Sequence, residues 1–202
     1  MSYAFEDVNT PKEVFTAGLK GEANKKVSGI NAKFDPPPLG KTELISWKSK
    51  DGLMIEGLLT YPVDYEKGKK YPIVLQIHGG PAGVFSQSYT GAPGIYMTQY
   101  FAQKGFVVLR PNPRGSSGYG KDFRYSNVRD WGFGDYQDLM TGVDYVLDMG
   151  IAEGSKQFVM GWSYGGYMTS WVVTQTNRFK AAGMCNKVIW NVSGRDHAYQ
   201  IG

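Results

Sequence analysis

The sequence holds little that would serve metal, disulfide or nucleic-acid chemistry. It has one cysteine, Cys185. No internal disulfide can form, and a reducing, cytoplasm-like compartment is expected. The two histidines, His78 and His197, sit in no Cys/His cluster, so neither a metal nor an organic cofactor is expected. Basic residues exceed acidic ones by only four, and the richest basic stretch, 20–26, is diluted by Glu22. A phosphate-tracking surface, and with it a nucleic-acid partner, is disfavoured. No apolar stretch approaches the roughly 20 residues needed to cross a bilayer, so no membrane-spanning helix and no membrane partner are expected. The first ten residues are polar and acidic, without the basic flank and apolar core of a signal peptide. Oligomeric state leaves no mark in the sequence.

What is present is an ordinary soluble composition, 42% hydrophobic and 20% charged, which permits a sizeable core. Pro36, Pro37 and Pro38 cannot join a helix or a central strand and read as an extended connector, so a domain boundary is placed near residue 40. Before it lie polar segments with short strand-like pieces such as Glu13–Thr16. After it the pattern sharpens. Strands are predicted at 43–47 and 54–61, joined by an Asp51-Gly52 turn. The nearly continuous apolar run Tyr71–Ile77 predicts a strand buried on both faces. A helix is expected over 95–103, closed by Gly105, then a strand over 105–109 terminated by Pro111. Apolar residues at helical spacing predict a helix over 135–149, ended by Gly150. A strand at 157–160, a helix over 164–176 and a strand opening at 181–185 complete the series. Strands alternating with helices imply βαβ crossovers and a mostly parallel sheet.

Gly161-Trp162-Ser163-Tyr164-Gly165 lies between the strand at 157–160 and the helix after it. Gly-x-Ser-x-Gly in that context is the nucleophile elbow of the α/β-hydrolase fold, a tight turn that lifts the serine hydroxyl clear of the sheet. A serine hydroxyl needs a base to become a nucleophile, and its acyl intermediate needs donors aimed at the developing oxyanion. The elbow supplies one such donor, the backbone N–H of Tyr164. The loop His78-Gly79-Gly80-Pro81, directly after the Tyr71–Ile77 strand, stands where the second is expected. Asp196 and His197 are adjacent, and neighbours on one short loop cannot orient each other behind a serine elsewhere, so they are not read as the acid and base. His78 is read as a turn-shaping residue, Asp135 and Asp138 as solvated helix-capping acids, and Arg114 as a tie on loop backbone. Trp162, Tyr167 and Trp171 are read as packing around the elbow helix. Asn191-Val192-Ser193 fits a glycosylation acceptor, a pattern frequent by chance.

The ordered set of motifs resembles the prolyl oligopeptidase family of serine peptidases, in its acylaminoacyl-peptidase-like and dipeptidyl-peptidase-like branches. It comprises Ser49-Lys50-Asp51-Gly52 with Ile55-Glu56-Gly57, and His78-Gly79-Gly80-Pro81. Asn112-Pro113-Arg114-Gly115-Ser116-Ser117-Gly118-Tyr119-Gly120 follows, then Trp131-Gly132 with Gly134-Asp135 and Asp138, and Gly161 to Gly166. The resemblance implies a β-propeller tail over 1–40 and the first part of an α/β-hydrolase domain over 41–202, with a peptide as substrate. It carries Ser163 over as nucleophile and the N–H groups of Gly80 and Tyr164 as the oxyanion hole. The family's catalytic Asp and His have no match here, so an incomplete triad and an inactive fragment are expected. A serine esterase on the same scaffold and a non-catalytic truncated product are the alternatives. The segment 188–193 reads either as the family's next strand and loop in diverged form or as unrelated sequence.

Overall fold

A computed structural model describes residues 1–185, together with the backbone of strands 188–190 and 198–200. The glycosylation pattern at Asn191 to Ser193 and the Asp196-His197 pair lie outside the described residues.

Two separate sheets account for residues 1–185. Strands β1 (Ser2–Phe5), β2 (Glu13–Thr16) and β3 (Lys25–Lys26) form a small antiparallel sheet in that order. The larger sheet holds β4 (Thr42–Lys48), β5 (Met54–Thr60), β6 (Tyr71–Ile77), β7 (Val107–Asn112), β8 (Ala152–Trp162) and β9 (Phe179–Cys185). Their spatial order is β4-β5-β7-β6-β8-β9. The first two pairings are antiparallel, and β7-β6, β6-β8 and β8-β9 are parallel. Helices α1 (Thr98–Gln103), α2 (Lys121–Tyr125), α3 (Gly134–Asp148) and α4 (Tyr164–Gln175) supply the crossovers. This is the α/β-hydrolase arrangement of a mostly parallel sheet flanked by helices. Strands β10 (Val188–Trp190) and β11 (Ala198–Gln200) pair with each other as an antiparallel hairpin, apart from the large sheet.

The core follows the periodicities that predict it. Every residue of β6 but Pro72 is buried, as both faces of a central strand are covered by helices. On α3, Leu139, Val143 and Val146 repeat at helical spacing and are fully buried. Burying side chains of this size stabilises the fold by roughly 1.5–3 kcal/mol each. Trp47 of β4 lies across Gly142 of α3, and a methyl group at residue 142 would come within 2.8 Å of its Cε2. Its indole N–H donates to the Asp138 carbonyl at 3.0 Å, locking helix to strand.

Several expected boundaries move, the longest shift being that of β8, which begins at Ala152 rather than residue 157. Helix α1 begins at Thr98 rather than residue 95, because Met97 takes a left-handed conformation, φ 47°, that helical backbone cannot continue through. Its end is a Schellman turn: Gly105 at φ 80° donates to the Ala102 carbonyl, and Phe106 donates to the Phe101 carbonyl. Strand β7 runs through Pro111 to Asn112 instead of stopping. It pairs with β6 only over 107–109, so the missing N–H of Pro111 falls where that ladder has ended. Helix α3 starts and ends one residue earlier than its pattern predicts.

Candidate active site

The parallel strands β6 and β8 are neighbours, and both deliver their carboxyl ends to one spot. In sheets of this kind ligands bind outside the carboxyl ends of the strands. Strand β8 ends at Trp162 and α4 begins at Tyr164, which leaves Ser163 alone to make the turn. Its backbone sits at φ 57° and ψ −121°, a conformation that costs a non-glycine residue on the order of 1–3 kcal/mol. The bend closes so tightly that the chain folds onto itself. A Cβ at residue 161 would strike the Gly165 carbonyl, and one at residue 165 the Ile77 carbonyl. Only glycine fits either place. The N–H of Ser163 is tied to the Cys185 carbonyl of β9 at 3.1 Å, while its carbonyl accepts from Gly166 and Tyr167.

The 78–81 loop lies against this bend. A Cβ placed on Gly79 would be 3.2 Å from Ser163 Cβ and 3.7 Å from Ser163 Oγ, so the bare backbone of the loop passes the hydroxyl. Gly80 follows at φ 129°, where a side chain would collide with the backbone of Ala82 and Gly83. Tyr164 opens α4, so its N–H has no carbonyl one turn behind it to bond within the helix. Its phenol donates to Asp135 Oδ2 in a very short hydrogen bond.

His78 is no free base. It is buried; its Nδ1 lies 2.8 Å from the Gly79 carbonyl and its Nε2 3.0 Å from Ser116 Oγ, whose own proton goes to the Pro113 carbonyl at 2.6 Å. Burial holds its pKa below the usual histidine value, so the ring is neutral and structural.

The two acids of α3 overturn their expected role, because neither is solvated. Asp135 is buried and accepts from the Gly132 and Tyr136 N–H groups, each at 2.8 Å, as well as from Tyr164. Desolvation dominates those bonds and pushes its carboxyl up to about 6. Asp138, also fully buried, accepts from Arg114 Nε at 3.0 Å and Nη2 at 2.8 Å, from the Arg114 N–H at 2.8 Å, and from Ser49 Oγ at 2.5 Å. Arg114 completes the set with Asp51 at 2.9 Å. It therefore ties loops together through carboxylates rather than through backbone, and its guanidinium is spoken for. The sequence signal was available: an Asp pair at i and i+3 facing an Arg-Gly-Ser turn can be drawn inward as readily as solvated. Tyr167 is buried on the inner side of the elbow helix and Trp171 donates to the Gly132 carbonyl at 2.5 Å, both as packing. Trp162 departs from that reading and stands 42% exposed.

A model of the prolyl oligopeptidase family matches residues 95–197. An uncharacterized peptidase of Bacillus subtilis is 39% identical over 174 residues, which is 85% of this chain and 26% of that protein. Dipeptidyl-peptidase 5 of Schizosaccharomyces pombe is 37% identical over 64% of this chain and 19% of its own length. Among solved structures, an acylaminoacyl peptidase of Pyrococcus horikoshii superposes with a TM-score of 0.78 at 30% identity, covering 90% of this chain and 29% of that one. The chain thus spans 26% or less of the length of these two curated relatives.

Proposed function

The chain belongs to the prolyl oligopeptidase family, and from that membership we propose that the polypeptide carrying it is a serine peptidase cleaving short peptides through an acyl-enzyme. Ser163 Oγ attacks the scissile carbonyl carbon. The N–H groups of Gly80 and Tyr164 donate hydrogen bonds to the carbonyl oxygen as negative charge develops on it, each worth roughly 3–4 kcal/mol of barrier. Collapse of the tetrahedral intermediate expels the amine and leaves an ester on Ser163, which water then hydrolyses. The observation that carries this reading is the strained bend at Ser163 with the bare Gly79 backbone beside its hydroxyl.

Deprotonating Ser163 and protonating the leaving amine require a base and its orienting acid. With both nitrogens of His78 engaged, these roles fall to residues outside 1–185. Residues 1–40 are assigned to the end of a preceding β-propeller, a placement supported by the separate antiparallel sheet β1-β2-β3.

A fluorophosphonate probe reads the nucleophile directly. The full polypeptide is expected to be labelled, and its folded Ser163→Ala variant not. Labelling that survives in the alanine variant ends the assignment. A His78→Gln variant is expected to keep its labelling, since that ring takes no proton from Ser163.

A further inference from the structure

Behind the 78–81 loop lies a cavity of about 410 Å³ that the peptidase reading does not use. His78 and Gly79 form its wall on the nucleophile side, and the 84–98 segment roofs it. Arg110 of β7 projects into it. This residue is 4% exposed, and its Nε and Nη2 are buried with no hydrogen-bond partner among the described residues. The Phe85 ring lies 5.3 Å from the guanidinium and covers it, but a ring face satisfies none of its N–H groups in the plane. Tyr89 lines the same cavity, and its hydroxyl is likewise buried without a partner. Among the described residues no Asp or Glu lines the cavity.

An arginine cannot shed its charge to escape burial. Desolvation lowers Arg110 only to about 10, so it remains a cation at neutral pH. Breaking one partner off a buried ion pair is among the costlier changes in a protein. The other buried guanidinium, that of Arg114, has two carboxylates to meet it. Among the described residues Arg110 meets none, and it borders the cavity instead.

We propose that this cavity is a carboxylate-binding site, with the Nε–Nη2 edge of Arg110 gripping both oxygens of a small monoanion and the Tyr89 hydroxyl within the same pocket. The planar fork matches a carboxylate in two parallel hydrogen bonds. A single cation among hydroxyls and aromatic rings neutralises one negative charge, which favours a carboxylate over a phosphate dianion. The walls shared with Gly79 set the site directly behind the loop that passes Ser163 Oγ. Two sources of such a group exist: the free carboxyl end of a peptide substrate, or a separate small acid.

Calorimetric titration of the full polypeptide with N-acetylglycine and with its neutral isostere N-acetylglycinamide tests the site without calling on catalysis, so its failure is distinct from failure of the peptidase reading. The acid is expected to bind about 10-fold or more tighter than the amide. Arg110→Met, which keeps the stem and removes the charge, should erase that preference and melt no lower than the parent, since it removes an uncompensated buried cation. Equal binding of acid and amide, no binding of either, or undiminished acid binding by Arg110→Met overturns the proposal. So does a melting temperature lowered by several degrees in Arg110→Met, which would show the guanidinium paired inside the full polypeptide. Peptides with free and amidated carboxyl ends then separate the sources. A fall in kcat/KM confined to the free-acid peptide in Arg110→Met identifies the substrate terminus. Equal kinetics on the two peptides, with N-acetylglycine binding lost, identifies a separate acid.

Discussion

The small amino-terminal sheet and the large sheet each bury a carboxylate, and they treat it in opposite ways. Glu13 of β2 is 2% exposed and collects donors: the Ser28 hydroxyl at very short range, the Asn31 and Ile30 N–H groups at 3.0 and 3.2 Å, and Lys26 at 3.4 Å. Led by the Ser28 bond, these hold its carboxyl down to about 2. Asp135 of α3 has three donors, yet depth wins over bonding and its carboxyl rises to about 6. Counting hydrogen bonds does not decide the charge state of a buried acid. The amino-terminal sheet has little apolar surface, so an ionised side chain gathers its loops. The large sheet is held by its core, and the same kind of group becomes a weak acid packed beneath the elbow.

The sharpest way to break the contrast is at Asp138, a fully buried carboxyl of α3 that is met by the Arg114 guanidinium. Asp138→Ala strands most of the Arg114 guanidinium and should cost about 3–5 kcal/mol in urea unfolding. A loss under about 1 kcal/mol would mean that the large sheet does not depend on its buried ions. Next in size is Gly165→Ala, whose new methyl meets the Ile77 carbonyl. Overpacking there should cost about 1–3 kcal/mol and remove fluorophosphonate labelling from Ser163.

The pH dependence sharpens the comparison further. The folded value of Asp135, about 6, exceeds its ordinary 3.8. Its contribution to stability is therefore complete below pH 3.8 and lost as pH rises through 6. Glu13 has the opposite sign: its folded value near 2 lies below the ordinary 4.5, so its contribution is present above pH 4.5 and fades as pH falls through 2. Urea melts at a series of pH values should show Asp135→Asn flattening the first window and Glu13→Gln the second. Slopes of the same sign for the two residues would erase the distinction. The smallest expected effect is that of Tyr164→Phe. Losing the phenol removes a bond that favours the Asp135 carboxylate, so the midpoint of the first window should move upward from 6 with little change in melting temperature.

Much of the fold could be read from local pattern. The apolar run at Tyr71–Ile77, the helical spacing on α3 and the Gly-x-Ser-x-Gly bend each encode a period or a steric demand within a few neighbours. What could not be read was decided by distant groups. Strand β1 is only four residues long, too short to show a period, and is fixed by pairing with β2, and α2 carries no buried residue to mark it. Asp135 and Asp138 resemble surface acids until Tyr164, 29 residues on, and Arg114, 24 residues back, are seen to converge on them. Arg110 sits in an apolar strand, where one basic residue reads as an edge position. Its burial depends on the roof contributed by residues 84–98.

The amide of Ser163 is moored to the carbonyl of Cys185, at the tip of the sheet's outermost strand. The posture of the reactive oxygen is thus coupled to an edge strand of the described sheet. Whatever docks along β9 stiffens that mooring, and whatever peels β9 away slackens it. How fast Ser163 reacts with an electrophile is, in this sense, a gauge of how firmly β9 is held.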